Sequence, residues 1–158
     1  MLRRILPLLL LLVSVSASAE TITGTVIRVS DGDTLVIRSG AENIKVRLYG
    51  VDAPEKKQDF GNKAKDALTS MTALQTVQAE VMDKDRYGRT VAIVTVGDAE
   101  PVNQSLLRLG LAWVYDAYCK STICADWRKV ERTAREARAG LWSDPAPTPP
   151  WEYRRRKH

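Results

Sequence analysis

Residues 46–55 read VRLYGVDAPE, and the rest of the chain is arranged around them. Val46, Leu48 and Val51 are apolar, with Arg47 and Tyr49 interleaved, which is the pattern of a strand with one buried face. Gly50 permits dihedrals that other residues avoid, and Pro54 pushes Ala53 out of the helical region, so the strand gives way to a turn. Arg47, Asp52 and Glu55 therefore gather at a strand end and its following loop. Two carboxylates and a guanidinium close together are costly unless they meet a ligand or one another. The cluster suits a cation and a phosphate better than a hydrophobic core.

Upstream, residues 21–29 carry Ile22, Val26 and Val29 in strand spacing, and Asp31-Gly32-Asp33 turns the chain back into a second strand over 34–38. Ser39-Gly40 turns again into the strand of residues 43–49, which completes a three-stranded meander. Downstream, Ala64, Ala67, Leu68 and Met71 recur at helical spacing. Strands are expected over 74–82 and 89–96, separated by the charged loop DKDRYG. A short helix follows, with Leu106, Leu107 and Leu109 apolar, Asn103 as its cap and Gly110 as its stop. Residues 111–118 read as an extended segment wrapping the barrel. Trp127, Val130, Ala134, Ala137 and Leu141 line one face of a last helix ended by Gly140. This order predicts a mainly β fold with α, a five-stranded OB-type barrel padded by about three helices.

The chain has 158 residues, a net charge of +5, two cysteines and one histidine. It opens with Arg3 and Arg4, a short apolar run and Ala17-Ser18-Ala19, the layout of a secretory signal peptide over residues 1–19. The reading places the folded domain at 20–142 and a Pro-rich, basic tail at 143–158. Pro145, Pro147, Pro149 and Pro150 predict a stiff, extended tail, anchored by Trp151 and Tyr153 and ending in a solubilising run from Arg154 to Lys157. The basic charge favours an anionic partner only weakly. Export would set Cys119 and Cys124 in an oxidising compartment, where a disulfide is the default. The only histidine is the terminal His158, which excludes ordinary histidine-centred hydrolysis.

Asp31-Gly32-Asp33-Thr34, Arg47 through Asp52-Ala53-Pro54-Glu55, and Asp85-Arg86-Tyr87-Gly88-Arg89 resemble the staphylococcal nuclease (thermonuclease) family. Val102-Asn103 with the leucines after it, and Gly140-Leu141-Trp142, continue the resemblance. It implies an OB barrel and a calcium-dependent phosphodiesterase that cleaves DNA and RNA with little sequence preference, leaving 3′-phosphate ends. Carried over motif by motif, Asp33 and Asp52 resemble the calcium carboxylates and the Ala53 carbonyl a further ligand. Glu55 resembles the carboxylate that activates water, and Arg47 and Arg89 the phosphate-clamping arginines. Tyr87 resembles the tyrosine beside the nucleotide phosphate. Tyr118 fills one nucleotide-packing position; the other falls at Asp116, which leaves Tyr115 or Trp113 either to compensate or to join the core. The cysteine pair lies outside the family pattern. A monomer, secreted or periplasmic, is the expectation.

The residues support that chemistry physically. Calcium takes several oxygen ligands in tolerant geometry. A glutamate beside the attacking water accepts its proton. Arginine offers a planar fork to two phosphate oxygens. The plainer readings are a hairpin role for Asp31 or Asp33, a turn-capping Asp52 and a surface pair of Arg47 with Glu55. A catalytically silent OB-fold module that binds nucleic acid is the alternative, and joint retention of Arg47, Glu55 and Arg89 speaks against it.

Overall fold

The computed structural model describes residues 20–156. The segment read as a signal peptide, residues 1–19, lies outside the described residues. Among those described, no helix is long and apolar enough to cross a membrane.

Strands β1 (Thr21–Asp31), β2 (Thr34–Ser39) and β3 (Glu42–Leu48) form the expected meander. Helix α1 (Gly61–Thr72) leads to β5 (Thr76–Lys84) and β6 (Thr90–Val96). The five close into a barrel in the order β1-β2-β3-β6-β5. β1 serves two neighbours, pairing Thr21–Thr25 with β5 and Thr25–Asp31 with β2, and it shifts register twice along the way. Such bulges bend a strand and raise its twist, which is how one strand turns a barrel corner. Closure is made by parallel pairing of β3 with β6, Val46 opposite Thr90 and Leu48 opposite Ala92.

Inward positions of the strands supply the core: Val26, Leu35, Ile37, Val46, Leu48, Val77, Ala79, Ala92 and Val94 are buried. Burying one such valine, leucine or isoleucine contributes on the order of 2 kcal/mol. Ala64 and Leu68 of α1, Leu106 and Leu107 of α2 (Val102–Arg108), and Trp127 of α3 (Ile123–Glu136) extend the same core. A two-residue ladder joins β4 (Val51–Asp52) to β7 (Trp113–Val114), so residues 111–118 brace the loop after β3 and do not wrap the barrel.

Three further local expectations are corrected. Asn103 does not cap α2: Pro101 holds that position, and Asn103 is completely buried inside the first turn. Its carboxamide accepts from Val94 N at 3.0 Å and donates to the carbonyls of Tyr49 and Ala92 at 3.0 and 3.3 Å. α3 stops at Glu136, short of Gly140, because Arg138 takes φ 51° and Ala139 N donates back to the Ala134 carbonyl, closing the helix in a Schellman turn. Leu141 belongs to a separate 3-10 turn, Gly140–Ser143.

The tail also departs from an extended run. Pro150–Arg155 is a helix, α4, with Pro149 at the cap and Pro150 at the first helical position. Proline there is pre-organised for a helix and gives up only an N–H that would have no intrahelical partner. The two expected anchors do hold it. Trp151 stacks on Tyr115 at 5.2 Å and meets Trp113 edge-on at 6.4 Å, and the Tyr153 hydroxyl donates to the Lys57 carbonyl at 3.1 Å.

Candidate active site

Chain direction at the end of β3 builds the site. Gly50, at φ 68°, lets the backbone reverse, and β4 then runs against β7 with Asp52 opposite Trp113. That register buries Asp52 to 1 % exposure. The β1–β2 turn brings Asp33 alongside, and its Oδ2 accepts Ala53 N at 2.7 Å. Beyond Pro54, Gln58 N donates to the Glu55 carbonyl at 2.8 Å, and the Gln58 side chain accepts Glu55 N. Gly61 packs so close that a Cβ there would lie 2.0 Å from the Glu55 carbonyl oxygen, so α1 can begin at this point only with glycine.

Arg47 is the hub. Nη1 donates to the carbonyls of Leu48 and Val51 at 2.9 and 2.7 Å. Nη2 bridges Asp52 Oδ1 at 2.9 Å and Asp33 Oδ2 at 3.2 Å. The surface pair with Glu55 is therefore not made. Burial pushes the Asp33 carboxyl up to about 7 despite the opposing pull of Arg47, with the charges of Asp31 and Asp52 adding to the rise.

Arg89 stands just before β6, its Nε 2.6 Å from Asp85 Oδ2 and its guanidinium 5.6 Å from the exposed Tyr87 ring. Asp85 also accepts the amides of Tyr87 and Arg89, which fixes the loop. Tyr115 lies between two rings, Trp151 on one side and Tyr118 at 4.9 Å. Tyr118 is largely exposed. One cavity of about 630 Å³ is lined by Asp33, Arg47, Asp52, Ala53, Glu55, Tyr87, Arg89, Tyr115 and Tyr118. These residues, singled out from the sequence for metal, chemistry or substrate, thus border the same space, whereas Trp113, the other candidate for packing on a nucleotide, is buried with Ala134, Leu141 and Trp142 and joins the core. Asp31 serves the turn, accepting Asp33 N at 3.2 Å.

Cys119 and Cys124 are bonded to each other. The bridge closes a loop whose Lys120 and Ser121 amides donate to the Tyr49 hydroxyl at 2.7 and 3.0 Å. The disulfide loop is thereby tied to the residue just after β3.

A cavity residue that bonds two of the candidate carboxylates was missed. Arg154 of α4 places Nη2 2.8 Å from Asp52 Oδ2 and Nη1 2.8 Å from Glu55 Oε1. Burial pulls its guanidinium down, yet the bonds to both carboxylates overcome this and hold it above its ordinary range. The proline pair before Trp151, with Glu152 in the first turn and Arg154 and Arg155 in the last, signals the helix but not where it docks.

The donor set tests whether a metal suits this place. Asp33 and Asp52 are buried carboxylates close enough to share one guanidinium nitrogen, and no sulfur or imidazole stands with them. Oxygen donors of this kind fit a hard cation such as calcium. Among the described residues no group of three or more His, Cys, Asp or Glu side chains is placed to hold a metal ion, so side chains alone would not complete a coordination shell here.

A five-stranded OB barrel carrying a carboxylate–arginine cavity at the mouth of its β3–β6 seam defines a nuclease-like class of protein. The staphylococcal nuclease homologue family matches residues 45–144, and the chain belongs to that family. It is 39% identical over 155 residues to a protein named "Uncharacterized endonuclease" of Escherichia coli O157:H7, covering 98% of this chain and 99% of the relative. It is also 39% identical over 162 residues to "Micrococcal nuclease" of Shigella flexneri, covering 98% and 92%. "Protein ParB" of Escherichia coli shares 37% over 163 residues, covering 98% and 91%.

Proposed function

We propose that the protein is a calcium-dependent phosphodiesterase, an endonuclease that hydrolyses DNA and RNA with little sequence preference and leaves 3′-phosphate ends. The observation that carries this reading is the single cavity where Asp33, Asp52 and Glu55 face Arg47 and Arg89. Asp33 and Asp52, with the Ala53 carbonyl, would hold calcium. When bound, the ion supplies positive charge that polarises the phosphodiester and makes a nearby hydroxide less costly. Glu55 takes the proton of the attacking water. Arg47 turns its Nη2 edge from the carboxylates to a phosphate oxygen, and Arg89 approaches from the other side of the seam. Their forks offset the charge that grows at phosphorus as the new P–O bond forms and the old one breaks. Tyr87 borders the phosphate, and Tyr118 and Tyr115 offer aromatic faces to the nucleotide.

The folded domain follows an exported leader in this reading, and the Cys119–Cys124 bond suits a periplasmic or secreted location. The test is incubation of the chain from Glu20 onward with single-stranded DNA, duplex DNA and RNA, in calcium or in chelator. Cleavage of all three in calcium and none in chelator is expected, with 3′-phosphate termini on the products. Undiminished cleavage in chelator defeats the calcium reading, and no cleavage under any condition defeats the enzyme reading.

A further inference from the structure

Helix α4 delivers one cation into the carboxylate pair of the cavity. The Arg154 guanidinium spans Asp52 and Glu55, reaching Asp52 Oδ1 at 3.3 Å besides the two 2.8 Å contacts. Asp52 Oδ1 already accepts from Arg47. Both oxygens of this buried carboxylate therefore receive an arginine donor, and one oxygen of Glu55 does as well. A divalent cation needs those same lone pairs.

The arginine is not carried on a loose end. Pro150 is buried, Trp151 lies flat on Tyr115, Tyr153 reaches Lys57, and the Gln58 amide donates to the Thr148 carbonyl just before the helix. These contacts seat α4 against the loop that bears Glu55 and against the aromatic face of Tyr115. The side chain itself is only part-covered, at 41 % exposure, so it has a path to solvent.

We propose that Arg154 is an internal counter-cation that a divalent metal must displace from Asp52 and Glu55, so that α4 sets the metal affinity of the site. The inference rests on the calcium reading above and adds a residue far in sequence from the motifs that support it. In the metal-free protein Arg154 neutralises the carboxylates and holds the site closed to weakly bound cations. When it leaves, Glu55 loses its ion pair and its carboxylate oxygen is free to meet water. The released guanidinium stands at the rim of the cavity beside any bound phosphate chain.

Calcium affinity measured by isothermal titration calorimetry, without nucleic acid, tests this on the wild type, Arg154→Gln and Trp151→Ala. Arg154→Gln removes the competing charge, and Trp151→Ala loosens α4 while leaving every carboxylate and arginine of the cavity in place. Both should bind calcium more tightly, by about ten-fold for Arg154→Gln, the order of one lost charge-assisted pair. Thermal unfolding of each variant confirms that it is folded. Tryptophan emission should change as calcium is added to the wild type, and that change should vanish in Trp151→Phe. Equal calcium affinity in the wild type and both variants overturns the role of Arg154 while leaving the calcium reading intact. Absence of calcium binding in all of them overturns both together.

Discussion

The Asn103 carboxamide donates to the Tyr49 carbonyl at 3.0 Å, which ties the first turn of α2 to the residue just after β3. The same side chain satisfies Val94 N and the Ala92 carbonyl on β6, so one buried amide couples both strands of the parallel seam. Asn103→Ala should lower stability by about 3 kcal/mol, since it leaves several buried backbone groups without partners. Asn103→Asp should do comparable harm, because a carboxylate cannot donate to two carbonyls. Chemical denaturation of the two variants checks this, and a loss under about 0.5 kcal/mol would place the amide outside the fold's essential bonds.

The Cys119–Cys124 bridge spans a short loop, and its removal should cost about 2 kcal/mol by chain entropy. The barrel itself does not depend on it. Reduction should therefore lower the melting temperature and raise amide exchange at Lys120 and Ser121, which donate to the Tyr49 hydroxyl. Tyr49→Phe should reproduce the exchange effect with the bridge intact. Unchanged exchange at both amides after reduction would separate the bridge from the site.

Arg47→Ala, Arg89→Ala and Glu55→Gln should each lower single-turnover cleavage by about 100-fold or more in saturating calcium. Arg89→Ala and Glu55→Gln should leave the melting temperature within a few degrees of wild type. Arg47→Ala should also destabilise the metal-free protein, since buried Asp33 loses its guanidinium and buried Asp52 is left to Arg154. Low-salt binding of nucleic acid should survive in all three, carried by the remaining basic residues. Cleavage within a few fold of wild type in every variant would remove the chemistry from this cavity.

The sequence made the barrel legible because its signals are local. Alternating apolar residues, Asp31-Gly32 and Ser39-Gly40 mark the meander, and the DKDRYG loop marks the turn into β6. That the candidate residues would meet was legible for a second reason: they sit on strand ends and tight turns, where short motifs hold nearly all the geometry. The role of Asn103 was not, because a polar residue near a helix start reads as a cap whether or not a strand lies beneath it. Arg138 hid the end of α3, since only glycine announces the left-handed turn it adopts. Arg154 was hidden by distance, as no local pattern records that the final helix returns to the loop after β3.

Val46 and Thr90, the partners that close the barrel, lie far apart along the chain, so their ladder forms only after a large loop has been ordered. The β1–β3 half can gather Asp33 and Arg47 early, through neighbours in sequence. Arg89 arrives only with the closing strand, and Arg154 only when the C-terminal helix docks. A half-built chain consequently holds Asp33 and Arg47 without Arg89 and Arg154. On the proposed function, the site is therefore assembled only when the barrel is closed and the C-terminal helix is docked.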